Sequence, residues 1–91
     1  MKTIWKYPLE LKDEQIIEVP VSSEFLHVGL QNDKICLWAL VNSNSNYPLV
    51  KKTILIRGTG HDIGGYYTKK DYIGTVQQGQ FVWHVFNGEV E

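Results

Sequence analysis

The sequence predicts an all-β chain, a small antiparallel β-sandwich or open barrel of six to seven strands with little or no helix. Three observations predict it. No stretch longer than about a dozen residues sustains the i, i+3, i+4, i+7 apolar spacing of a buried helix face. β-branched and aromatic residues are abundant, as pleated surfaces favour. The apolar runs are short, and turn-forming residues separate them.

The first predicted strand is Thr3–Leu11, with Trp5, Tyr7 and Leu9 on one face and Lys6 and Pro8 on the other. Pro8 has no amide hydrogen to donate, which places this strand at a sheet edge or ends it there. Gln15–Val19 follows and is closed by Pro20. Glu24–Gln31 and Lys34–Asn42 flank Asn32-Asp33, a pair that tolerates positive φ, and so read as a hairpin. Lys34–Asn42 sets Ile35, Leu37, Ala39 and Val41 against Cys36, Trp38 and Leu40. Both faces being apolar, it is expected at the centre of a sheet, covered on both sides. Asn42–Tyr47 is too polar to pack and reads as an exposed loop before Pro48. Leu49–Arg57 is the next strand, apolar at Ile54–Ile56. Gly58–Lys70 holds four glycines and reads as a long irregular loop, a kind that is commonly functional or mobile. Tyr72–Gln77 and Gln80–Asn87 flank Gln78-Gly79 as a second hairpin, and Trp38 and Trp83 are assigned to the core.

Ninety-one residues make one domain, residues 1–91, without internal repeat or linker. A domain of this size buries only roughly 60–65% of its unfolded surface, so a homo-oligomer is expected. Nine basic residues against ten acidic ones give a net charge of −1, which disfavours binding to long DNA or RNA. The single cysteine, Cys36, lies in an apolar run and has no intramolecular partner. The N-terminus lacks the apolar segment of a signal peptide, and no run approaches the roughly 18 apolar residues of a membrane helix. A reducing, cytoplasmic location away from the membrane is the expectation.

The sharpest local signal is Arg57-Gly58-Thr59-Gly60-His61-Asp62. Glycines let successive amides face one concavity, the construction of an anion nest. Arg57, His61 and Thr59 add charge and hydrogen bonds suited to a phosphate. The segment is no P-loop, for it lacks the Gly-Lys-Ser/Thr ending and a following helix. The competing reading is a turn at a strand end, in which His61 and Asp62 cap local backbone groups. Tyr66 and Tyr67 share the same loop, where rings beside a nest would stack a base while the nest holds its phosphates; the alternative is that they only pack the loop down. His27, His61 and His84 show no zinc spacing, and His27 and His84, mid-strand, read as structural, hydrogen-bonded histidines. Cys36 is expected to be buried and unactivated. Asp13, Glu14, Glu18 and Glu24 read as a solvated face. No catalytic constellation, metal site or cofactor is therefore expected.

Four ordered blocks carry a resemblance across nearly the whole chain: Ile4–Leu9, Leu37–Val41, Gly58–His61 and Phe81–Phe86. Together they resemble a family of small phage and prophage proteins of unknown function. Where that family places a Gly-Ala pair, this chain reads Ser22-Ser23-Glu24. The resemblance implies a phage-encoded binding protein in the host cytoplasm, acting against host defence. The first expectation is capture of a phosphate-bearing or signalling nucleotide through Arg57–His61, Tyr66 and Tyr67. The second is inhibition of a host defence protein through the aromatic edge strand around Trp5 and Tyr7. A phosphodiesterase-like hydrolase comes third.

Overall fold

The computed structural model describes residues 1–44, 46–64 and 71–88. Among these, seven strands form two antiparallel sheets: β1 (Lys2–Pro8), β2 (Glu14–Pro20), β3 (Glu24–Gln31), β4 (Lys34–Asn42), β5 (Leu49–Gly58), β6 (Tyr72–Gln78) and β7 (Phe81–Gly88). One sheet has the order β1-β4-β3, the other β2-β5-β7-β6. The fold is all-β and antiparallel, the small β-sandwich or open barrel that the strand pattern predicts. No helix among the described residues is long and apolar enough to cross a membrane.

Turn chemistry fixes both hairpins. Asn32 and Asp33 have φ of 53° and 63°, as a type I′ link requires. In the second hairpin Gln78 pairs with Phe81, so the link is Gly79-Gln80 and not the expected Gln78-Gly79. The displacement has a conformational cause. A type II′ turn needs positive φ at its first central residue, and Gly79, at 60°, supplies it. Between β2 and β3, the amide of Ser23 donates to the Pro20 carbonyl, and Ser22 takes φ 67°.

The core lies between the sheets. Leu9, Val28, Ile35 and Leu37 from the first sheet meet Ile54, Ile56, Val76 and Val85 from the second, with Tyr7, Phe25 and Trp83 packed around them. Edge strands β3 and β6 approach closely, with Val28 against Gly74. Pro8 ends β1, and β1 is an edge strand, as its missing amide hydrogen dictates.

β4 is central as expected, but only one of its faces is covered by the other sheet. Ile35 and Leu37 point into the core, while Cys36, Trp38 and Leu40 lie on the outer face of a three-stranded sheet. Trp38 is therefore a half-buried surface residue, ringed by His27 at 5.8 Å between centroids, and not the core tryptophan that the sequence suggests. Cys36 is buried on that outer face, between the paired positions Pro8 and Gly29.

Candidate functional site

β5 runs out at Gly58 beside Trp83 of β7, and this register creates the site. Beyond the strand the chain turns at once: the His61 amide donates to the Gly58 carbonyl at 3.0 Å, and Gly60 has φ 89°, the value that a type II turn demands of its third residue.

Side chains pin this turn at three points. The Gly58 amide donates to Nδ1 of His61 at 3.1 Å. An accepting Nδ1 puts the proton of the neutral ring on Nε2, so His61 offers that nitrogen as a donor. The ring lies flat against Gly58, where a Cβ would stand 2.9 Å from its Cε1 atom. Gly58 is thus required by close approach of the imidazole and not by an unusual φ. Thr59 Oγ1 meets Nε2 of His84 at 2.7 Å, and Nδ1 of His84 meets Oγ1 of Thr75 at 3.0 Å. The Tyr72 hydroxyl extends that chain by bonding Thr75. Arg57 donates through Nη1 to the carbonyls of Asp13 at 2.6 Å and Ile56 at 3.2 Å, and through Nε to that of Asp62 at 3.3 Å. It clamps the outgoing turn to the segment that enters β2.

A cavity of about 440 Å³ opens against this turn, lined by Gly58, Thr59 and His61 on one side and by Gln80–Trp83 on the other. Phe81 and Trp83 stand two residues apart on β7 and so share a face, with ring centroids 5.7 Å apart and planes inclined by 21°. Trp83 Nε1 donates to Gln78 Oε1 at 3.1 Å, and Gln78 Nε2 donates to the Asp33 carbonyl at 2.9 Å, which fixes the indole. Phe81 remains 54% exposed. The cavity therefore joins a polar turn carrying an imidazole donor to a fixed apolar aromatic wall. Its size falls within the range of small-molecule sites.

Of the residues singled out from the sequence, Gly58, Thr59 and His61 line the cavity, and Gly60 shapes their turn. Arg57 does not line it. The amides of Gly58 and His61 are engaged within the turn, and the Gly64 amide donates to Oδ1 of Asp62 at 2.9 Å, so His61 and Asp62 cap local backbone groups as the competing reading of a strand-end turn expects. Tyr66 and Tyr67 lie outside the described residues. Sequence reasoning missed Phe81 and Trp83 as site residues. Their ring alternation in Phe81-Val82-Trp83 is visible, but their adjacency to Gly58 depends on β5 pairing with β7 across some twenty-five positions. His84 bonds through both ring nitrogens, in keeping with a structural histidine; His27 is exposed and faces out against Trp38. Among the described residues no group of three or more His, Cys, Asp or Glu side chains is placed to hold a metal ion.

The whole chain, residues 1–91, matches the model of a domain of unknown function, DUF7352, and the chain belongs to that family. No curated protein and no solved structure matches it.

Proposed function

We propose that this chain is a binding protein for a phosphate-bearing nucleotide, phage-encoded and directed against host defence by sequestering a signalling nucleotide. One observation carries the reading: a single cavity sets the Gly58–His61 turn against the stacked Phe81–Trp83 pair. A planar base stacks on the exposed face of Phe81, an interaction worth about 1–3 kcal/mol per base. The phosphate lies at the turn, where Nε2–H of His61 is a donor. Arg57, held behind the turn on three carbonyls, adds positive potential there. Sequestration requires tight binding and no turnover, and a turn pinned at three points is preorganised for it. Tyr66 and Tyr67, which lie outside the described residues, belong to this proposal as further rings close by in the sequence.

Calorimetric titration with adenine and guanine nucleotides, linear and cyclic, tests the reading. Saturable binding that falls tenfold or more in Phe81→Ala and in His61→Ala, both still folded, supports it. Full affinity in both variants assigns any binding to another surface.

A second reading, inhibition of a host protein, has its own observation. β1 is a sheet edge, and Trp5 on it is 40% exposed. An extended segment of a partner would add to that edge as a further strand. Recovery of a host protein that is lost on Trp5→Lys would favour it over the nucleotide.

A further inference from the structure

Two sheet edges of this fold carry complementary patterns. β1 ends the three-stranded sheet and β2 the four-stranded one, and they are not paired with each other. The phase of the hydrogen bonds fixes which backbone groups face outward. The Leu9 amide donates to the Ile35 carbonyl and the Ser43 amide to that of Met1, so the odd-numbered residues of β1 bond to β4. In an antiparallel ladder the residues between them turn their amides and carbonyls away, and these are Lys2, Ile4, Lys6 and Pro8. β2 has the same phase. The Val21 amide donates to the Pro48 carbonyl and the Ile56 amide to that of Asp13, which turns the backbone groups of Glu14, Ile16 and Glu18 outward. Side chains alternate likewise. Tyr7 and Ile17 pack on the core, so Lys2, Ile4, Lys6, Glu14, Ile16 and Glu18 lie on the outer sides of their sheets. All six are exposed, Ile4 by 55% and Ile16 by 57%.

One edge therefore reads Lys-Ile-Lys and the other Glu-Ile-Glu. Either strand laid antiparallel on its own copy about the isoleucine opposes like charges, Lys2 on Lys6 or Glu14 on Glu18, which is destabilising. β1 laid antiparallel on β2 of another copy instead sets Lys2 on Glu18, Ile4 on Ile16 and Lys6 on Glu14. Those are the residues whose backbone groups face outward, so the ladder and the side chains agree. The neighbouring slips are worse. Moving by two residues one way puts Ile4 on a carboxylate, Glu18, and Pro8, which has no amide hydrogen, on Glu14; moving the other way puts Lys6 on Lys12. In the favoured register Lys12 falls by Pro8 and is held by Glu10 at 3.3 Å. Lys51 flanks Glu18 from within its own sheet, His27 lies two strands from the junction, and Lys34 precedes Cys36, the partner of Pro8, beyond its end. No like charges are opposed across it.

We infer that copies of this chain associate edge to edge, β1 of one pairing antiparallel with β2 of the next and Ile4 lying opposite Ile16. The two edges of one copy differ, so the contact is heterologous and either closes or lengthens with concentration. The inference is independent of the nucleotide reading, because neither strand lines the cavity at Gly58 and Trp83. Sedimentation velocity of the full chain, from micromolar to millimolar at low salt, tests it. The expected result is species at multiples of the 10.5 kDa chain mass that dissociate as salt is raised. The double variants Lys2→Glu, Lys6→Glu and Glu14→Lys, Glu18→Lys should each give a folded monomer, because each makes both edges alike in charge. Mixed in equal amounts the two should associate again, a rescue that a merely structural role for these surface residues would not produce. Ile16→Pro, which removes an amide hydrogen directed out of the sheet, should also give a folded monomer. A wild-type monomer at every concentration overturns the inference, and leaves the β1 edge to a different partner. So does association that persists in both double variants, or a mixture of the two, each folded, that stays monomeric.

Discussion

Gly58→Ala separates the site from the fold. The added methyl carbon would stand 2.9 Å from Cε1 of His61, 3.1 Å from Nδ1 and 3.3 Å from Nε2. Carbon atoms in good contact sit roughly 3.5–4.0 Å apart, so the imidazole must retreat by about half an ångström or more. Retreat breaks the 3.1 Å bond from the Gly58 amide to Nδ1, which costs about 0.5–1.5 kcal/mol. Against this, φ of Gly58 is not positive, so alanine fits the backbone and restricts the unfolded chain, a gain of about 0.4–1 kcal/mol. The two terms nearly cancel, and Tm of the free protein should move by only a few degrees. Binding responds differently. A donor to a phosphate contributes about 1.5–3 kcal/mol, so affinity should fall roughly tenfold to a hundredfold. Thermal unfolding of the free variant and calorimetric titration with the nucleotide that wild type binds make the two measurements. Wild-type affinity in Gly58→Ala would refute the role given to His61. A collapse of Tm would refute the separation of site from fold.

Three further substitutions probe the scaffold. Arg57→Ala removes the clamp on the Asp13, Ile56 and Asp62 carbonyls; water reaches these groups, so the loss is about 1–2 kcal/mol, read as a Tm lower by roughly 5–15 °C. Tyr7→Phe deletes a buried hydroxyl that has no hydrogen-bond partner among the described residues, and should raise stability at neutral pH by about 1 kcal/mol. Burial also holds the Tyr7 hydroxyl above its ordinary value of 10, so the folded state keeps its proton while the unfolded state loses it. Stability is therefore complete below pH 10 and falls as pH rises beyond it; Tyr7→Phe should flatten that fall in denaturant titrations across the range. Ser22→Gly relieves the left-handed conformation at φ 67°, and chemical denaturation should show about 0.5–1 kcal/mol of added stability after the extra freedom of the unfolded chain is subtracted.

Local chemistry made most of the fold legible. Asn32-Asp33 and Gly79 announce their turns because only certain residues take positive φ cheaply, and Pro8 marks an edge because it has no hydrogen to give. What failed was non-local. The alternation along β4 reads as two buried faces, yet a three-stranded sheet backed on one side leaves the Trp38 face outward, and no pattern within the strand distinguishes a covering sheet from a covering partner. The site was legible as a polar turn, since glycines, threonine and histidine adjoin in sequence. Its aromatic wall was not, because Trp83 reaches Gly58 only through the β5–β7 register. Arg57 illustrates the same limit. Its charge suggested a phosphate ligand, whereas three backbone carbonyls within hydrogen-bonding distance occupy its guanidinium.

Nucleotide binding in the cavity between the Gly58–His61 turn and the Phe81–Trp83 pair is most directly tested by thermal shift of the purified chain against linear and cyclic nucleotides, with Phe81→Ala alongside. A ligand at a hundred times its Kd stabilises the fold by about 2.7 kcal/mol, a shift of roughly 10–20 °C for a domain this small. The account predicts such a shift with at least one nucleotide, and its loss in Phe81→Ala while the Tm of that variant without ligand stays close to wild type. A flat response across the whole panel, or an undiminished shift in Phe81→Ala, would contradict it.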